Sequence, residues 1–469
     1  MLQFAVGVIL ARLLAPEDFG LLVSVQVFMG IAGLLADGGM GQALVRIKDL
    51  PEDYVSTYFT AQILICSGIY AVFFFAAPWI ATGYSNPIYQ DLVRVSALSF
   101  PLRAIQNPPR SLLYREMRSK VTGVIEWCEL FSSGVISILM AQFRWGGWSL
   151  VFSGLLSSVL LIIPLFYCSG WRPRIAFNHA AARELSRYGA QSTINDLVEF
   201  VRVQVPNFLI GQLLGPGLLG AFNKADTLRT IPIDIISGAV YQPLFRGLAL
   251  TQDNIDRSKY LYLRSVGLTM VYCLPAYVGL WWVAGPFIEV IYGSKWSFTA
   301  APLHVLATAG FFNVMVNQSG AVIAARSLFA WEISIQCESA VLAFVAILAA
   351  VPYGLAGIAW SLVGVFTFMA LRMTYLASRS VDAMFSELLT ALRPAAILNA
   401  LLFVALLAVN SVWLYLYNNS SGLYLLVIST SGFFIYVGLF LTLPLGNFMT
   451  EKMRWRRGLA FFANPDVKS

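Results

Sequence analysis

Apolar runs of about 20 residues, each long enough to cross a bilayer as a helix, recur along nearly the whole chain between short polar breaks. They predict fourteen spans, at 1–14, 20–42, 55–81, 88–107, 120–141, 147–169, 189–213, 217–243, 260–284, 299–323, 329–351, 354–377, 393–416 and 422–445. The first is short. Fourteen residues rise about 21 Å against a hydrocarbon core of about 30 Å, so this span is expected to be truncated. The break that follows has a definite form. In VILARLLAPEDFGLLVSVQVF (8–28) an apolar run stops at Pro16 and resumes after Gly20. Proline cannot continue a helix, and glycine lets the next one start without crowding its neighbour. The stretch therefore reads as a tight hairpin between two membrane helices.

The same phrase returns as FLIGQLLGPGLLGAFNKADTL, with Leu213, Leu214, Pro216 and Gly220 standing where Leu13, Leu14, Pro16 and Gly20 stand. Ala76-Ala77-Pro78-Trp79-Ile80 is echoed by Ala284-Gly285-Pro286-Phe287-Ile288, Arg110-Ser111-Leu112-Leu113 by Arg326-Ser327-Leu328-Phe329, and Trp148-Ser149-Leu150-Val151 by Trp360-Ser361-Leu362-Val363. The offsets drift only between 200 and 216, as small insertions would make them. Each unit holds six spans, an even number, so both enter the membrane the same way. They are expected to be parallel repeats related by an axis along the membrane normal, with binding between them. The expected division is an N-terminal six-helix lobe (1–171), a cytoplasmic linker (172–188), a C-terminal six-helix lobe (189–380), two additional helices (381–445) and a basic tail (446–469).

Composition agrees: 58% of residues are hydrophobic and 12% charged, against about 25% charged in soluble domains. The net charge of +7 raises nucleic acid as a partner, and its distribution removes it. One alternating set of loops holds Arg46, Lys48, Arg110, Arg115, Arg118, Lys120, Arg172, Arg174, Arg183 and Arg187. It continues with Arg246, Arg257, Lys259, Arg326, Arg372, Arg379 and Arg393, and the tail adds Lys452, Arg454, Arg456, Arg457 and Lys468. The opposite set holds Arg144 and Lys295. That is 22 against 2, which places both termini in the cytoplasm by the positive-inside rule.

Chemistry-bearing motifs are few. Cys66, Cys128, Cys168, Cys273 and Cys337 stand singly in apolar segments, and His179 and His304 are far apart, so neither metal nor redox chemistry is expected. No GxxxxGK[ST] loop and no Ser/His/Asp constellation is present, and no loop is large enough for a catalytic domain. The informative residues are polar groups inside spans, where an ionisable side chain must face protein or a wet cavity. At 100° per residue Asn223, Asp226, Thr227, Thr230, Asp234 and Ser237 form one stripe, with Lys224 beside it and Arg229 away from it. Asn195, Glu199, Arg202 and Pro206 share a face, with Asp196 at its edge. Ser96, Ser99, Arg103 and Asn107 align, as do Glu126, Glu129, Ser133 and Ser137; Asn313 and Asn317 stack at i, i+4, and Asp37 follows Gly30 and Gly33. These stripes predict a hydrated cavity; the competing reading is pairing across helices, for instance Arg103 with Glu126. Acids are at least as numerous as bases, so a cationic chamber does not follow from the charges.

On LARLLAPEDFGLL (10–22), DGGMGQALVR (37–46) and LLGPGLLGAFNKADTLRTIP (213–232), together with the span count and the basic loops, the chain resembles a bacterial lipid-linked oligosaccharide flippase of the polysaccharide transporter family, in the multidrug/oligosaccharidyl-lipid/polysaccharide exporter superfamily. The resemblance covers nearly the whole chain. It implies an all-α polytopic protein, two parallel six-helix repeats forming a V-shaped two-lobe transporter with two extra C-terminal helices, in the bacterial inner membrane. It further implies alternating-access transport of undecaprenyl-pyrophosphate-linked repeat units for O-antigen, capsule or exopolysaccharide assembly, without a cofactor. The implied partners are the lipid-linked substrate, membrane lipids, and a polysaccharide polymerase with other assembly machinery. Basic residues in the central cavity of such flippases hold the pyrophosphate; here the candidates are Lys224, Arg202, Arg103 and Arg12, and Lys224 stands inside a matching motif. Two alternatives stay open: a cation-coupled multidrug or small-molecule exporter of the same superfamily, whose members usually have twelve spans, and a membrane polysaccharide polymerase or ligase, which a large extracytoplasmic loop would mark.

Overall fold

The computed structural model describes residues 2–47, 50–416, 420–444, 449 and 451–453, and at 52, 187–195 and 416 the backbone only. The basic residues Lys48, Arg454, Arg456, Arg457 and Lys468, and the side chains of Arg187 and Asn195, lie outside that description. The described chain is helical, with elements α1 (Leu2–Leu13), α2 (Pro16–Asp37), α3 (Met40–Arg46), α4 (Glu52–Gly83), α5 (Ile88–Ala97), α6 (Ser99–Arg115), α7 (Ser119–Gln142), α8 (Trp148–Ser169) and α9 (His179–Leu214). There follow α10 (Pro216–Pro232), a π-helical turn (Ile233–Ser237), α11 (Gly238–Leu250), α12 (Ile255–Ile291), α13 (Ala300–Ala307), α14 (Gly310–Ala325), α15 (Phe329–Ala350), α16 (Gly354–Ser380), α17 (Phe385–Leu416) and α18 (Ser421–Thr442).

By length and hydropathy, nine helices qualify as membrane spans among the described residues, or ten if Ser294–Ala307, a 3-10 turn leading into α13, forms one with α14, from which it is bent by 55°. The expectation of fourteen differs for physical reasons. α1 has 12 residues and is too short. The stretches 88–107 and 217–243 are divided among shorter helices, α5 and α6 of 10 and 17 residues and α10 and α11 of 17 and 13. α15 and α16 run together as a 52-residue stretch. At 1.5 Å per residue that is about 78 Å, more than twice a hydrocarbon core, and a break at Gly354 (φ 66°) divides it.

The chain packs as two compact units, the first made of Met1–Lys224 with Gln336–Gly354 and the second of Ala225–Ile335 with Leu355–Ser469. In the first, α2, α4, α5 and α8 meet around Leu21, Val25, Ala77, Ala81, Leu92 and Val151, and α2, α4, α5 and α6 around Ala32, Ala36, Cys66, Ala97, Phe100 and Ala104. Such small residues let membrane helices approach closely, where dispersion must replace the hydrophobic effect as the cohesive force. The two hairpins of the repeat meet at their tips inside this unit. A Cβ on Gly20 would overlap the carbonyl of Pro216, and one on Gly220 the carbonyl of Pro16. Glycine at both positions is therefore a requirement of backbone approach, and the contact is reciprocal.

The second unit is built on α12, against which α11, α14, α17 and α18 pack through Leu244, Val266, Val314, Leu398 and Phe440. Behind this apolar layer runs a buried polar seam. Ser237 donates to Asn317 Oδ1 at 2.6 Å, Gln318 Nε2 donates to Ser237 Oγ at 2.9 Å, and Ser265 donates to Gln318 Oε1 at 2.5 Å. Around the π-helical turn that follows Pro232, α12 covers two backbone carbonyls. The hydroxyl of Tyr277 donates to the Arg229 carbonyl at 2.9 Å and the thiol of Cys273 to that of Pro232 at 3.3 Å.

Candidate functional site

The first unit encloses a cavity of about 1160 Å³ between α2, α4, α6, α7 and α8. Three separate stretches of sequence converge on it. α2 contributes Asp37 in its last turn. The following Gly38 and Gly39 take left-handed φ values of 52° and 65°, which end α2 and let α3 restart. The freed Ala36 carbonyl accepts from Gln62 Nε2 at 2.8 Å, so the broken helix is satisfied by α4. The 88–115 region contributes Ser96, Ser99, Arg103 and Asn107, and α7 contributes Glu126, Glu129 and Ser133. The glycines of α2 give the wall its shape. Arg103 Nη1 stands 3.0 Å from where a Cβ on Gly33 would be, and the Phe200 ring of α9 occupies the space a Cβ on Gly30 would need.

Pairing in the cavity differs from the sequence expectation. Arg103 does not pair with Glu126. Glu126 accepts from the Tyr114 hydroxyl at 2.5 Å, and Glu129 takes Arg110, with Nη2 to Oε2 at 2.8 Å. Arg103 is left without an ion pair within 4 Å among the described residues. Asp37 accepts a long hydrogen bond of 3.5 Å from Tyr58. Three carboxylates (Asp37, Glu126, Glu129) and two guanidiniums (Arg103, Arg110) thus line the wall. Arg110 is neutralised by Glu129, and Arg103 faces the cavity with the Asp37 carboxylate near enough to interact with its charge.

Of the residues singled out as substrate-binding, Arg103 is the one that lines this cavity. Asn223 and Lys224 end the first unit, and Lys224 Nζ sits 4.5 Å from the centroid of the Phe19 ring. Arg202 approaches Glu199 at 3.9 Å on the same helix, and Arg12 is exposed near the end of α1. In the second unit Asp226 is bound to Arg229 at 2.8 Å. Arg229, placed off the polar stripe by helical periodicity, is only 8% exposed in its side chain and lies over Phe366 at 4.7 Å. Asp234 is exposed on the π-helical turn. Asn313 donates to its own helix at Ala309, 2.9 Å, and Asn317 belongs to the buried seam. Asn195 falls outside the described side chains.

Sequence reading counted Arg110 among the loop cations, whereas it lies within α6 and lines the cavity; it missed Tyr58, Tyr114 and Gln62. For Arg110 a signal existed: it follows Arg103 by seven residues, two helical turns on, and so shares its face. For Tyr58 there was none, because an aromatic inside an expected span carries no periodic mark, and Tyr114 falls in the basic stretch read as a loop.

A family model for polysaccharide biosynthesis proteins matches residues 9–301. A succinoglycan biosynthesis transport protein of Rhizobium meliloti is 28% identical over 307 residues, 65% of this chain and 62% of that protein. A lipopolysaccharide biosynthesis protein of Escherichia coli is 21% identical over 325 residues, 68% of this chain and 65% of its own length. The matched region thus spans somewhat under two thirds of both relatives. Among solved structures, a lipid II flippase in an inward closed conformation aligns over 93% of this chain and 95% of its own, with TM-score 0.75 and 13% identity. An inward-facing multidrug resistance transporter of the MATE family aligns over 81% and 94%, with TM-score 0.67 and 14% identity. At such identities the likeness is one of fold alone.

Proposed function

The chain belongs to the polysaccharide biosynthesis protein family, and from that premise we propose that it flips undecaprenyl-pyrophosphate-linked oligosaccharide repeat units across the bacterial inner membrane by alternating access. The product supplies O-antigen, capsule or exopolysaccharide assembly, with a polysaccharide polymerase as the next partner. The fold it shares with a lipid II flippase supports this reading, as does the named role of its relative in succinoglycan transport. The proposed topology is two parallel six-helix repeats and two further helices, fourteen crossings in all, with both termini cytoplasmic.

The observation that carries the proposal is the 1160 Å³ cavity with Arg103 in its wall. Pockets for drug-sized ligands run to about 1,000 Å³, so this one has room for a sugar headgroup. Its serine, asparagine and glutamine side chains offer the hydrogen bonds that sugar hydroxyls require. A diphosphate stripped of water without a partner would carry a prohibitive desolvation cost. A guanidinium replaces the lost hydration with charge-assisted, bidentate hydrogen bonds. Such a bond contributes about 1.5–3 kcal/mol, or roughly 10- to 150-fold in rate. Arg103→Ala at normal protein level is therefore expected to lower polymer export by that factor, with Arg103→Lys retaining a good part of it. Undiminished export by Arg103→Ala would remove the cavity from the transport path.

One observation favours a second reading. The carboxylates in the cavity outnumber the guanidiniums, which suits a cationic drug as cargo. Energised vesicles that expel a lipophilic cation, in a strain whose polymer export does not depend on the protein, would decide for the drug exporter.

A further inference from the structure

We propose that a pocket between the N-terminal ends of α12 and α17 binds one phosphatidylethanolamine, a membrane lipid whose headgroup carries a phosphodiester and a primary ammonium. The pocket measures about 550 Å³, and its wall includes Tyr260, Arg264 and Gly267 from α12 and Ser386, Glu387 and Thr390 from α17. It belongs to the second unit and shares no residue with the cavity of the first. Two ion pairs stand at it. Lys259 Nζ reaches both oxygens of Glu387, at 3.2 and 3.3 Å, and Arg264 Nη2 pairs with Glu451 Oε2. Glu451 lies in the segment after α18, so three parts of the chain converge here.

Depth along the helices points to a lipid. α12 opens with Asp256, Arg257 and Lys259, and after Arg264 it carries no charged residue from Ser265 to Ile288. α17 likewise passes from Glu387 and Arg393 into an uncharged run from Pro394 to Leu416. The pocket sits at this change on both helices, where a membrane helix meets the headgroup layer, and Tyr260, Ser386 and Thr390 are exposed toward that layer. Charge balance then selects the headgroup. Clusters of basic residues at this depth hold anionic lipids, but here two carboxylates offset the two cations, so an anionic headgroup would meet repulsion as well as attraction. A zwitterion satisfies both signs. Its phosphodiester accepts charge-assisted hydrogen bonds from Arg264, and its ammonium donates them to Glu387. Choline has no N–H to donate, and glycerol has no positive charge. The four charged side chains are 15–37% exposed, and ion pairs in contact with water hold weakly enough to exchange partners.

The test is native mass spectrometry of the full chain, delipidated in detergent and titrated with ethanolamine, choline and glycerol phospholipids of identical acyl chains. The ethanolamine lipid is expected to bind about tenfold more tightly than either of the others, the worth of one charge-assisted hydrogen bond. Two variants locate the site. Glu387→Gln removes the charge that the ammonium meets and should lower the ethanolamine lipid to the affinity of the choline lipid. Thr390→Trp fills the pocket, leaves both ion pairs in place and should abolish the preference; its melting temperature before lipid is added checks that it is folded, and if that has fallen, Glu387→Gln decides alone. Equal affinity for the three lipids, tighter binding of the glycerol lipid, or an ethanolamine preference that survives Glu387→Gln overturns the site. Displacement of the bound lipid by an equal concentration of soluble glycerophosphoethanolamine overturns the lipid as its ligand and gives the pocket to a soluble phosphoethanolamine instead.

Discussion

Gly310→Ala tests how the kinked helix of the second unit is held. Gly310 opens α14, and a Cβ there would lie 2.2–2.5 Å from three ring carbons of Tyr277. The ring is 2% exposed and has little room to give way. Its hydroxyl donates to the Arg229 carbonyl at 2.9 Å, so displacing the ring also strips a carbonyl near the kink of its partner. Overpacking of this kind costs about 1–3 kcal/mol, and a buried group left unsatisfied about 1–3 kcal/mol more. Alanine regains at most about 1 kcal/mol in helix propensity, and less at a first helical position. The net expectation is a loss of about 1–6 kcal/mol, against about 1–3 kcal/mol for Tyr277→Phe, which strips the same carbonyl of its partner without the overpacking. The assay is denaturant unfolding of the purified protein in mild detergent, read for Gly310→Ala, Tyr277→Leu and the double variant. With the ring gone the alanine has nothing to strike, so the double variant should be no less stable than Tyr277→Leu. Strict additivity of the two losses, or a Gly310→Ala variant as stable as wild type, refutes the argument.

Asp226→Asn leaves Arg229 without its half-exposed carboxylate and should destabilise by about 1–3 kcal/mol, with much of the loss recovered in Asp226→Asn/Arg229→Met; a fall in melting temperature of the single variant alone checks it. Cysteines placed at Met117, Arg183 and Arg379, all exposed, should resist a membrane-impermeant thiol reagent in intact cells and react in inverted vesicles; labelling from outside would reverse the assigned topology. Lys224→Ala should abolish polymer export at normal protein level while Lys224→Arg keeps much of it, and normal export by Lys224→Ala would leave that lysine a structural role.

Helical periodicity was enough to find the polar faces, because 100° per residue places Ser96, Ser99, Arg103 and Asn107 on one side whatever surrounds them. The hairpins were legible for the same local reason, proline and glycine acting on their own backbone, and the repeat made them mutually diagnostic. What a helix face meets is another matter. Glu126 goes to Tyr114 and Glu129 to Arg110, so Arg103 faces the cavity rather than the acid proposed for it. That choice depends on the rotation and height of α6 against α7, which no single helix encodes. Arg229 looked like an outlier from its stripe, yet Phe366, more than a hundred residues away, gives it a buried seat beside Asp226. Ser237 and Asn317 are polar residues at helical spacing like the cavity residues of the first unit. Packing against the buried Gln318 and Ser265 draws them into a hydrogen-bonded seam instead. Sequence alone determined which residues the membrane would force to face protein or water. Only tertiary packing decided which of the two each one meets, because hydration depends on the volume left between helices and not on the helix that carries the side chain.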